Sequence, residues 1–356
     1  MTDSALRIGL IASVTQTVDE PFAGGMEAHT ATLARSLRER GHEVTVHAAD
    51  HDRPSAKAVA GKGGRLRLSA AARGDVSMPA EGFMAEHHAY LSLMLGLDAL
   101  DYDVVHNNCL HYLPVAMADA LRTPMLMTLH SPPTPWLESA IGCRSGAGGP
   151  HWISVSRANA AAWGHLCRPC PVIHNGVDLE KWPFAAEPRA ATAVWSGRIV
   201  PEKGTHLAIA AARRAGIPLA LAGPVGDDGY FHECMRAVGS DVTYHGHLAS
   251  AELARLVRSA SVALVTPCWE EPFGLVAIEA LACGTPVAGF ARGALPEVID
   301  EGCGALARPD DVADLAARIA GAMAKDAGYC RERAERLFSL EAMTDRYLEA
   351  YRAILR

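Results

Sequence analysis

Residues 267–287 read PCWEEPFGLVAIEALACGTPV and decide the fold of the second half of the chain. The apolar run VALV at 262–265 comes before this stretch and predicts a buried strand that ends at a Thr-Pro pair. A loop with two adjacent carboxylates, Glu270 and Glu271, follows the strand. Good helix formers then occupy 275–283, and the glycine directly after them is expected to cap the helix. The stretch is therefore predicted to form a strand, a loop and a helix.

The same stretch predicts a carboxylate on each side of a helix N-terminus. Glu271 lies in the loop, whereas Glu279 lies about one turn inside the helix, at 3.6 residues per turn. The backbone N–H groups near Gly274 and Leu275 come between them and have no partner within the helix. Such N–H groups bind anions, and carboxylates accept hydrogen bonds from hydroxyl groups. The pattern predicts a site for a ligand that carries both phosphates and hydroxyls.

Strand and helix patterns alternate on both sides of a break at 179–189, which contains two prolines. At the N-terminus, the strand 7–12, the helix 26–40 and the strand 43–48 form a βαβ unit, which opens a doubly wound parallel sheet. The further predicted strands are 103–106, 125–130, 151–155, 172–174, 193–197, 219–222, 242–244, 262–265 and 285–288, and the further predicted helices are 85–100, 156–167, 205–215, 310–325 and 340–355.

Two such halves in tandem predict two Rossmann-like, doubly wound α/β domains that face each other across a cleft. We place the first domain at 1–178 and the second at 190–340. Residues 341–356 are expected to form a helix that packs back on the first domain.

Composition excludes several classes of protein. The chain has 356 residues, of which 49% are hydrophobic and 21% charged, as is typical of a soluble enzyme of two domains. A net charge of -7 argues against a protein held to nucleic acid mainly by phosphate contacts. No stretch reaches the roughly 18 apolar residues of a membrane span. Residues 1–7 lack the pattern of a secretion signal, so a cytoplasmic location is expected.

The cysteines indicate reduced thiols. There are nine of them, an odd number, scattered through a long chain rather than arranged as a disulfide framework. Cys167 and Cys170 have CxxC spacing, but no second pair or histidine-rich partner completes a zinc site. We expect neither a structural metal nor a cofactor.

Two basic residues lie at the ligand-binding edge of the second predicted sheet. Arg198 leaves a strand end, and Lys203 comes just before a helix N-terminus. An arginine, a lysine and a helix N-terminus together match the roughly two negative charges of a diphosphate. We find no Asp-x-Asp pair suited to hold Mg²⁺ against a nucleotide, so the predicted site needs no metal.

The first half contributes two histidines and a glycine pair. His106 and His130 each end a predicted strand, at the edge where open α/β sheets place their ligands. A single histidine of this kind is usually just hydrogen-bonded within the protein. Two histidines at equivalent strand ends favour a functional role, above all for His130. Gly24 and Gly25 precede the first helix, where they form a tight turn or let a phosphate or sugar approach the backbone.

With these residues in place, the sequence resembles the retaining glycosyltransferases of family 4, also described as glycosyl transferases group 1, which have the GT-B fold. The resemblance covers nearly the whole chain. It rests on five motifs, which are AGGME at 23–27, HNGVD at 174–178, SGRIVPEKG at 196–204, YHGHL at 244–248 and EEPFGLVAIEALACGTPV at 270–287.

The resemblance implies a sugar nucleotide held mainly by the second domain and an acceptor bound by the first. Arg198 and Lys203 would bind the diphosphate and stabilise the leaving nucleotide. Glu279 would accept hydrogen bonds from the ribose hydroxyls, and Glu271 would form a hydrogen bond with the donor sugar. The other implied donor contacts are the N–H groups of Phe273, Gly274 and Leu275, the loop at Gly246 and His247 near the base, and Gly24 and Gly25 across the cleft.

His130 matches the family's histidine near the sugar, with a role in stabilising the oxocarbenium-like transition state. The implied catalytic set is therefore His130, Arg198, Lys203 and Glu271. In the front-face mechanism usually proposed for the family, the leaving phosphate takes the acceptor's proton. That mechanism accounts for the lack of a hydrolase-like pair of carboxylates. The alternative role of Glu271, as a nucleophile, is not favoured.

The donor is expected to be a UDP-sugar, with GDP and ADP as alternatives. Other functions considered are a donor-binding protein without turnover and a sugar-nucleotide epimerase on the same fold. A phosphorylase is less compatible, because the chain is short and lacks a lysine motif for a pyridoxal cofactor.

The acceptor is not determined by the sequence. Its distinctive candidates are residues 132–149, the pair His87-His88 and the basic stretch 53–73. The basic stretch is a solvated loop, an acceptor lid or a segment in weak contact with a membrane surface. Trp136 either stacks on a sugar or aromatic acceptor or packs within its loop. The acidic net charge favours a soluble small molecule or a glycan over a lipid-linked acceptor.

Overall fold

The structure is a computed structural model that describes residues 4–49, 66–75, 81–144, 149–184, 190–236 and 238–356. Lys57, Lys62 and Arg65 of the basic stretch lie outside the described residues. No described helix is long and apolar enough to cross a membrane.

The first half folds around a five-stranded parallel sheet with the order β2-β1-β3-β4-β5. Its strands are β1 (Arg7–Ile11), β2 (Glu43–His47), β3 (Val104–Asn107), β4 (Met125–Leu129) and β5 (His151–Ser154). Its helices are α1 (Gly25–Glu39), α2 (Ala70–Arg73), α3 (Glu81–Gly96), α4 (Tyr112–Ala116), α5 (Pro135–Gly142) and α6 (Arg157–Ala162). Every residue of β3 and β4 is buried, as expected for central strands covered on both faces.

The second half folds around a six-stranded parallel sheet with the order β11-β10-β9-β6-β7-β8. Its strands are β6 (Ala190–Ser196), β7 (Leu219–Ala222), β8 (Val242–Tyr244), β9 (Ala260–Val265), β10 (Val287–Phe290) and β11 (Gly304–Ala307). Its helices are α7 (Thr205–Ala215), α8 (Asp228–Met235), α9 (Ser250–Ser259), α10 (Leu275–Ala282), α11 (Leu295–Val298), α12 (Val312–Met323) and α13 (Ala327–Phe338). The predicted fold, two doubly wound α/β domains across a cleft, is confirmed.

The last helix, α14 (Leu340–Ile354), returns to the first sheet, as predicted. Its apolar face joins the hydrophobic core that contains Ile8 and Leu33. Thr344 Oγ1 donates a hydrogen bond to Ser36 Oγ of α1 at 2.9 Å. Burial of this face ties the end of the chain to its beginning.

Two predictions of local structure are wrong in detail. Residues 172–174 form no strand, and Val172 makes only an isolated bridge to Ser154. The helix expected at 156–167 ends at Ala162. Pro171 and Ile173 each hydrogen-bond to the backbone of Ser154 in β5, the edge strand of the first sheet, and two bonds to one residue do not make a strand.

Candidate active site

A cavity of about 310 Å³ opens between the two sheets. Its walls include residues that directly follow strands, such as His130 after β4 and Thr266 after β9. Parallel strands present ligands at their carboxyl ends, so both sheets turn this edge toward the cavity. The first half contributes Gly25, Met26, Glu27, Leu110, His130, Ser131, Val155 and Asn175, and the second half contributes, among others, Arg198, Lys203, Trp269, Glu271, Phe273, Gly274 and Leu275.

A second cavity of about 140 Å³ adjoins the first. The two share Gly25, Arg198 and Leu275 in their walls. Gly24, His247 and Glu279 line the second cavity but not the first. Arg198, predicted for the diphosphate, thus lies where the two cavities meet, whereas Lys203 lines the larger cavity together with the residues predicted for the sugar. The residues predicted for the nucleoside lie on the side of the smaller cavity.

Gly246 is the predicted residue that lines neither cavity. Its carbonyl accepts a hydrogen bond from Gly223 N at 2.9 Å, and its φ is +79°. The next residue, His247, places Nε2 3.0 Å from the carbonyl oxygen of Phe22, which belongs to the first half of the chain. Gly246 therefore shapes the loop that presents His247.

Lys203 and Glu271 form an ion pair in the larger cavity. Nζ of Lys203 lies 2.6 Å from Oε2 of Glu271, and the same oxygen accepts from Nε1 of Trp269 at 3.1 Å. The ammonium also lies 4.9 Å from the centre of the Trp269 ring. Two donors and an aromatic face fix both charged groups, since neither side chain is free to rotate without breaking a contact.

A glycine holds Lys203 in place. Gly204 has φ of +68°, and a Cβ at this position would collide with the carbonyl oxygen of Thr266. Thr266 Oγ1 in turn donates to the carbonyl of Gly204 at 2.9 Å. The close approach places the start of α7 and its preceding lysine directly against the end of β9.

Arg198 has a weaker internal partner. Its side chain is 52% exposed, and its ion-pair partner Glu202 lies 3.9 Å away. Exposed pairs at this distance contribute little free energy. The guanidinium can therefore turn to an anion at the junction of the two cavities.

The N-terminus of α10 faces the same junction. Gly274 precedes the helix with φ of +89°, and no side chain among the described residues caps its first turn. Phe273 is only 2% exposed and packs against the rings of His174 and Phe338, so a ligand reaches its backbone rather than its side chain. The binding of a ligand by the first-turn N–H groups stays a prediction, which the uncapped N-terminus of α10 supports.

Glu279 lies one turn further along α10, in the wall of the smaller cavity. Burial raises the pKa of its carboxyl group to about 7. The group is thus about half ionised at neutral pH in the free protein, and hydroxyl donors from a ligand would stabilise the ionised form.

His130 is neutral. Its Nε2 lies 2.8 Å from Oδ1 of Asn108, and its ring meets that of His29 edge to face at 4.8 Å. Burial, with smaller effects from His29 and His106, holds the pKa of His130 well below its usual range. The imidazole therefore offers a hydrogen bond and a dipole to a ligand rather than a positive charge.

The other strand-end histidine does not reach the cavity. His106 is fully buried, with Nδ1 2.7 Å from the hydroxyl of Tyr351 and Nε2 2.7 Å from Oγ1 of Thr128. It links β3 and β4 to the returning helix α14. Of the two histidines that the sequence placed at equivalent positions, only His130 belongs to the site.

Sequence reasoning missed a carboxylate on the first-domain wall. Glu27 is 7% exposed and lines the larger cavity from the first turn of α1. Burial raises the pKa of Glu27, and the charge of Arg198 across the cleft opposes that shift. The signal was present, because Glu27 ends the AGGME motif from which only the glycines were assigned.

Polar atoms beside the cavity lack partners. Nδ2 of Asn108 and Oγ of Ser131 are buried and make no hydrogen bond within the part of the chain that the structure describes. An unmet buried donor costs about 1–3 kcal/mol, so such groups indicate a bound ligand or water. Ser131 lines the cavity, and Asn108 lies behind it, in contact with His130.

Comparison with known proteins identifies the family. Residues 23–181 match the sequence profile of Glycosyltransferase Family 4, and residues 178–337 match that of Glycosyl transferases group 1. The chain is 31% identical over 346 residues to a glycogen synthase of Mycobacterium tuberculosis, covering 83% of this chain and 81% of that protein. The chain belongs to the group 1 glycosyltransferases. The resemblance predicted from its motifs, and with it glycosyltransferase activity, is confirmed.

Solved structures of glycosyltransferases share the fold. AviGT4, a glycosyltransferase involved in avilamycin A biosynthesis, superposes with a TM-score of 0.70 at 25% identity and covers 98% of each chain. HepE of Anabaena, solved in complex with UDP-glucose, superposes with a TM-score of 0.72 at 18% identity, over 98% of this chain and 100% of HepE. At that identity the similarity of HepE establishes the fold alone.

Proposed function

We propose that this group 1 glycosyltransferase moves a hexosyl group from a nucleotide-diphosphate sugar to an acceptor hydroxyl, with retention of configuration and without a metal. The second domain, 190–340, would hold the donor, and the first, 1–178, the acceptor, with 341–356 returning to the first. The observation that carries the proposal is the Lys203–Glu271 pair beside Arg198 and the N-terminus of α10.

The proposed donor would span the two cavities. Its diphosphate would lie at Arg198, Lys203 and the first turn of α10, where positive charge is concentrated. The ribose hydroxyls would reach Glu279 in the smaller cavity, and the sugar would reach Glu271 and His130 in the larger one. UDP is the favoured nucleotide, a choice supported by the UDP-glucose complex of HepE.

Transfer would proceed on one face of the sugar. As the bond from the anomeric carbon to the diphosphate oxygen breaks, Arg198, Lys203 and the helix N-terminus stabilise the growing negative charge. The acceptor oxygen bonds to the same carbon from the same face, and its proton passes to the departing phosphate oxygen. Glu27, facing the cavity from the first domain, accepts a hydrogen bond from the acceptor hydroxyl and orients it.

Two measurements test this proposal. A thermal-shift screen of UDP, GDP and ADP identifies the base, and NMR of the products formed from the matching α-linked donors, with EDTA present, gives the anomeric configuration. We expect stabilisation by UDP and an α-linked product. A β-linked product contradicts retention, and loss of activity in EDTA contradicts metal independence. Tight nucleotide binding without turnover favours a donor-binding protein, and interconversion of the donor sugar favours an epimerase.

A further inference from the structure

Four aromatic rings from three helices and a loop meet on the first domain. The ring centre of Trp136 lies 5.6 Å from that of Phe83, 5.1 Å from that of His111 and 5.7 Å from that of Tyr112. We call these four residues the aromatic platform. Phe83 is 37% exposed and Trp136 is 42% exposed, whereas His111 beneath them is buried. Two large rings are thus held rigidly while part of each remains open to solvent.

The aromatic platform lies at the same edge of the first sheet as the first-domain wall of the larger cavity. Tyr112 is the first residue of α4 and Trp136 the second of α5, and these helices begin at the carboxyl edge of β3 and β4. Leu110 and Ser131, which precede the two helices, line the cavity itself. A ligand that lies on Trp136 would therefore lie at the carboxyl edge of the first sheet, the edge that faces the donor-binding residues.

The ring geometry favours a ligand with one apolar face and a polar rim. The planes of Phe83 and Trp136 stand at 74°, which makes a corner rather than a parallel slot. A pyranose ring offers an apolar face of C–H groups that packs on an aromatic ring, while its hydroxyl groups point outward to hydrogen-bond partners. Nε2 of the buried His111 has no such partner among the described residues.

The electrostatics disfavour a phosphorylated ligand at this position. Phe83, Tyr112 and Trp136 are uncharged, and burial with the neighbouring His87 lowers the pKa of His111 to about 4, so that ring is neutral at pH 7. A phosphate group normally requires arginine, lysine or a helix N-terminus of adequate length. The four rings supply apolar area and neutral hydrogen-bonding groups.

We propose that the aromatic platform binds an uncharged carbohydrate acceptor and directs one of its hydroxyl groups into the donor cavity. This inference rests on the proposed function, because it names the acceptor class of the same site. Trp136 supplies the stacking face, Phe83 closes the corner, and the transfer step is the one already described.

The test measures release of nucleotide from UDP-glucose, or from the matched donor found by the thermal-shift screen, with five acceptor probes. The neutral probes are maltotriose, cellotriose and chitotriose, and the comparison probes are glucose 6-phosphate and 4-nitrophenol. We expect at least one neutral saccharide to increase nucleotide release. Trp136→Ala and Phe83→Ala should each raise its KM on the order of tenfold, since a lost aromatic contact has that magnitude. Trp136→Phe, which retains a ring, should recover most of the affinity.

Leu95→Ala is the matched control, because Leu95 is 73% exposed on the same helix as Phe83. It should leave the acceptor KM unchanged, and every variant should keep the wild-type Kd for the nucleotide. Unaltered KM in both platform variants would overturn the proposal, as would stimulation by the charged or aromatic probes alone or by none of the five. Failure of the donor proposal has a separate signature, which is absence of nucleotide binding in the wild-type protein.

Discussion

Nζ of Lys203 lies 2.6 Å from Oε2 of Glu271. The residue proposed to bind the diphosphate and the residue proposed to bind the sugar are therefore paired with each other before any donor is bound. The pair keeps the cationic group oriented into the cavity, and a bound diphosphate would compete with Glu271 for the ammonium. Release of part of the carboxylate from Lys203 would then leave it available to the sugar hydroxyls. The two residues would act as one unit whose internal bond is exchanged for two bonds to the donor.

Removal of either Arg198 or Lys203, the two cations of the proposed diphosphate site, should slow transfer. We expect Lys203→Ala and Arg198→Ala each to lower kcat by factors on the order of 10² or more, since preorganised charge acts on the departing diphosphate. Steady-state kinetics on the donor measure this effect. Arg214→Ala, an exposed arginine near the end of α7, is the control and should have wild-type kinetics. Near-normal rates in either cavity variant would contradict the assignment.

Glu271→Gln separates a positioning residue from a nucleophile. As a positioning residue, Glu271 loses one charged hydrogen bond in this variant, and kcat/KM should fall roughly 10-fold to 100-fold. As a nucleophile it would lose far more, and the wild-type enzyme would accumulate a glycosylated form. Intact-mass spectrometry of wild-type protein mixed with donor should detect no covalent adduct. A stable mass increase of one hexosyl unit, located on Glu271, would reverse the interpretation.

Nucleotide affinity should depend on pH through Glu279. Because burial raises the pKa of this carboxyl to about 7, it is mostly protonated at pH 6 and mostly ionised at pH 8 in the free protein. Ribose hydroxyls donate to the ionised form, so binding lowers its pKa and releases a proton. The Kd of the nucleotide should therefore decrease by about tenfold between pH 6 and pH 8. Calorimetric titrations at several pH values measure the change.

Glu279→Gln is the matched comparison. It should abolish the part of the pH dependence that Glu279 causes, and subtracting its profile removes the titration of the nucleotide itself. The same variant tests the direction in which the stability of the folded protein changes with pH. A folded pKa above the unfolded value means that stability falls as pH rises from about 4.5 to 7, so Glu279→Gln should have a higher Tm than wild type at pH 8. Parallel pH profiles for the two proteins would exclude Glu279 as the titrating group.

The sequence predicted most of the second domain because its signals are local. The elements β7, β8 and α7 have the bounds expected from their apolar runs and from the glycine on each side of α7. The N-terminus of α10 and its two flanking carboxylates were likewise predicted from a single stretch. By contrast, β11 reads GALA, which has none of the β-branched or aromatic side chains that signal a strand.

Features that depend on distant parts of the chain were not predictable. His106 and His130 are equivalent in the sequence, and they differ because Tyr351, 245 residues later, fills the space beside His106. The exposure of Glu27 to the cavity depends on the approach of the second domain. The corner between Phe83 and Trp136 depends on the packing of two helices that only the tertiary structure places side by side.

The N-termini of α1 and α10 meet at Gly25. A Cβ on Gly25, the first residue of α1, would lie 2.8 Å from Cδ1 of Leu275, the first residue of α10. Because Cδ1 is the end of a flexible side chain, Gly25→Val should turn the Leu275 side chain and crowd the place where the two cavities meet. Overpacking of this kind typically costs about 1–3 kcal/mol, so we expect kcat/KM to fall on the order of tenfold.

Truncation of the facing side chain should restore the fit. Leu275→Ala removes the atoms that the new valine meets while it keeps the backbone N–H at the start of α10, so Gly25→Val combined with Leu275→Ala should recover most of the lost kcat/KM. Gly321→Val, at a helical glycine with open space around it, controls for the loss of backbone freedom and should leave the kinetics unchanged. If the two substitutions at the cleft are simply additive, Gly25 acts on the site by some route other than contact with Leu275.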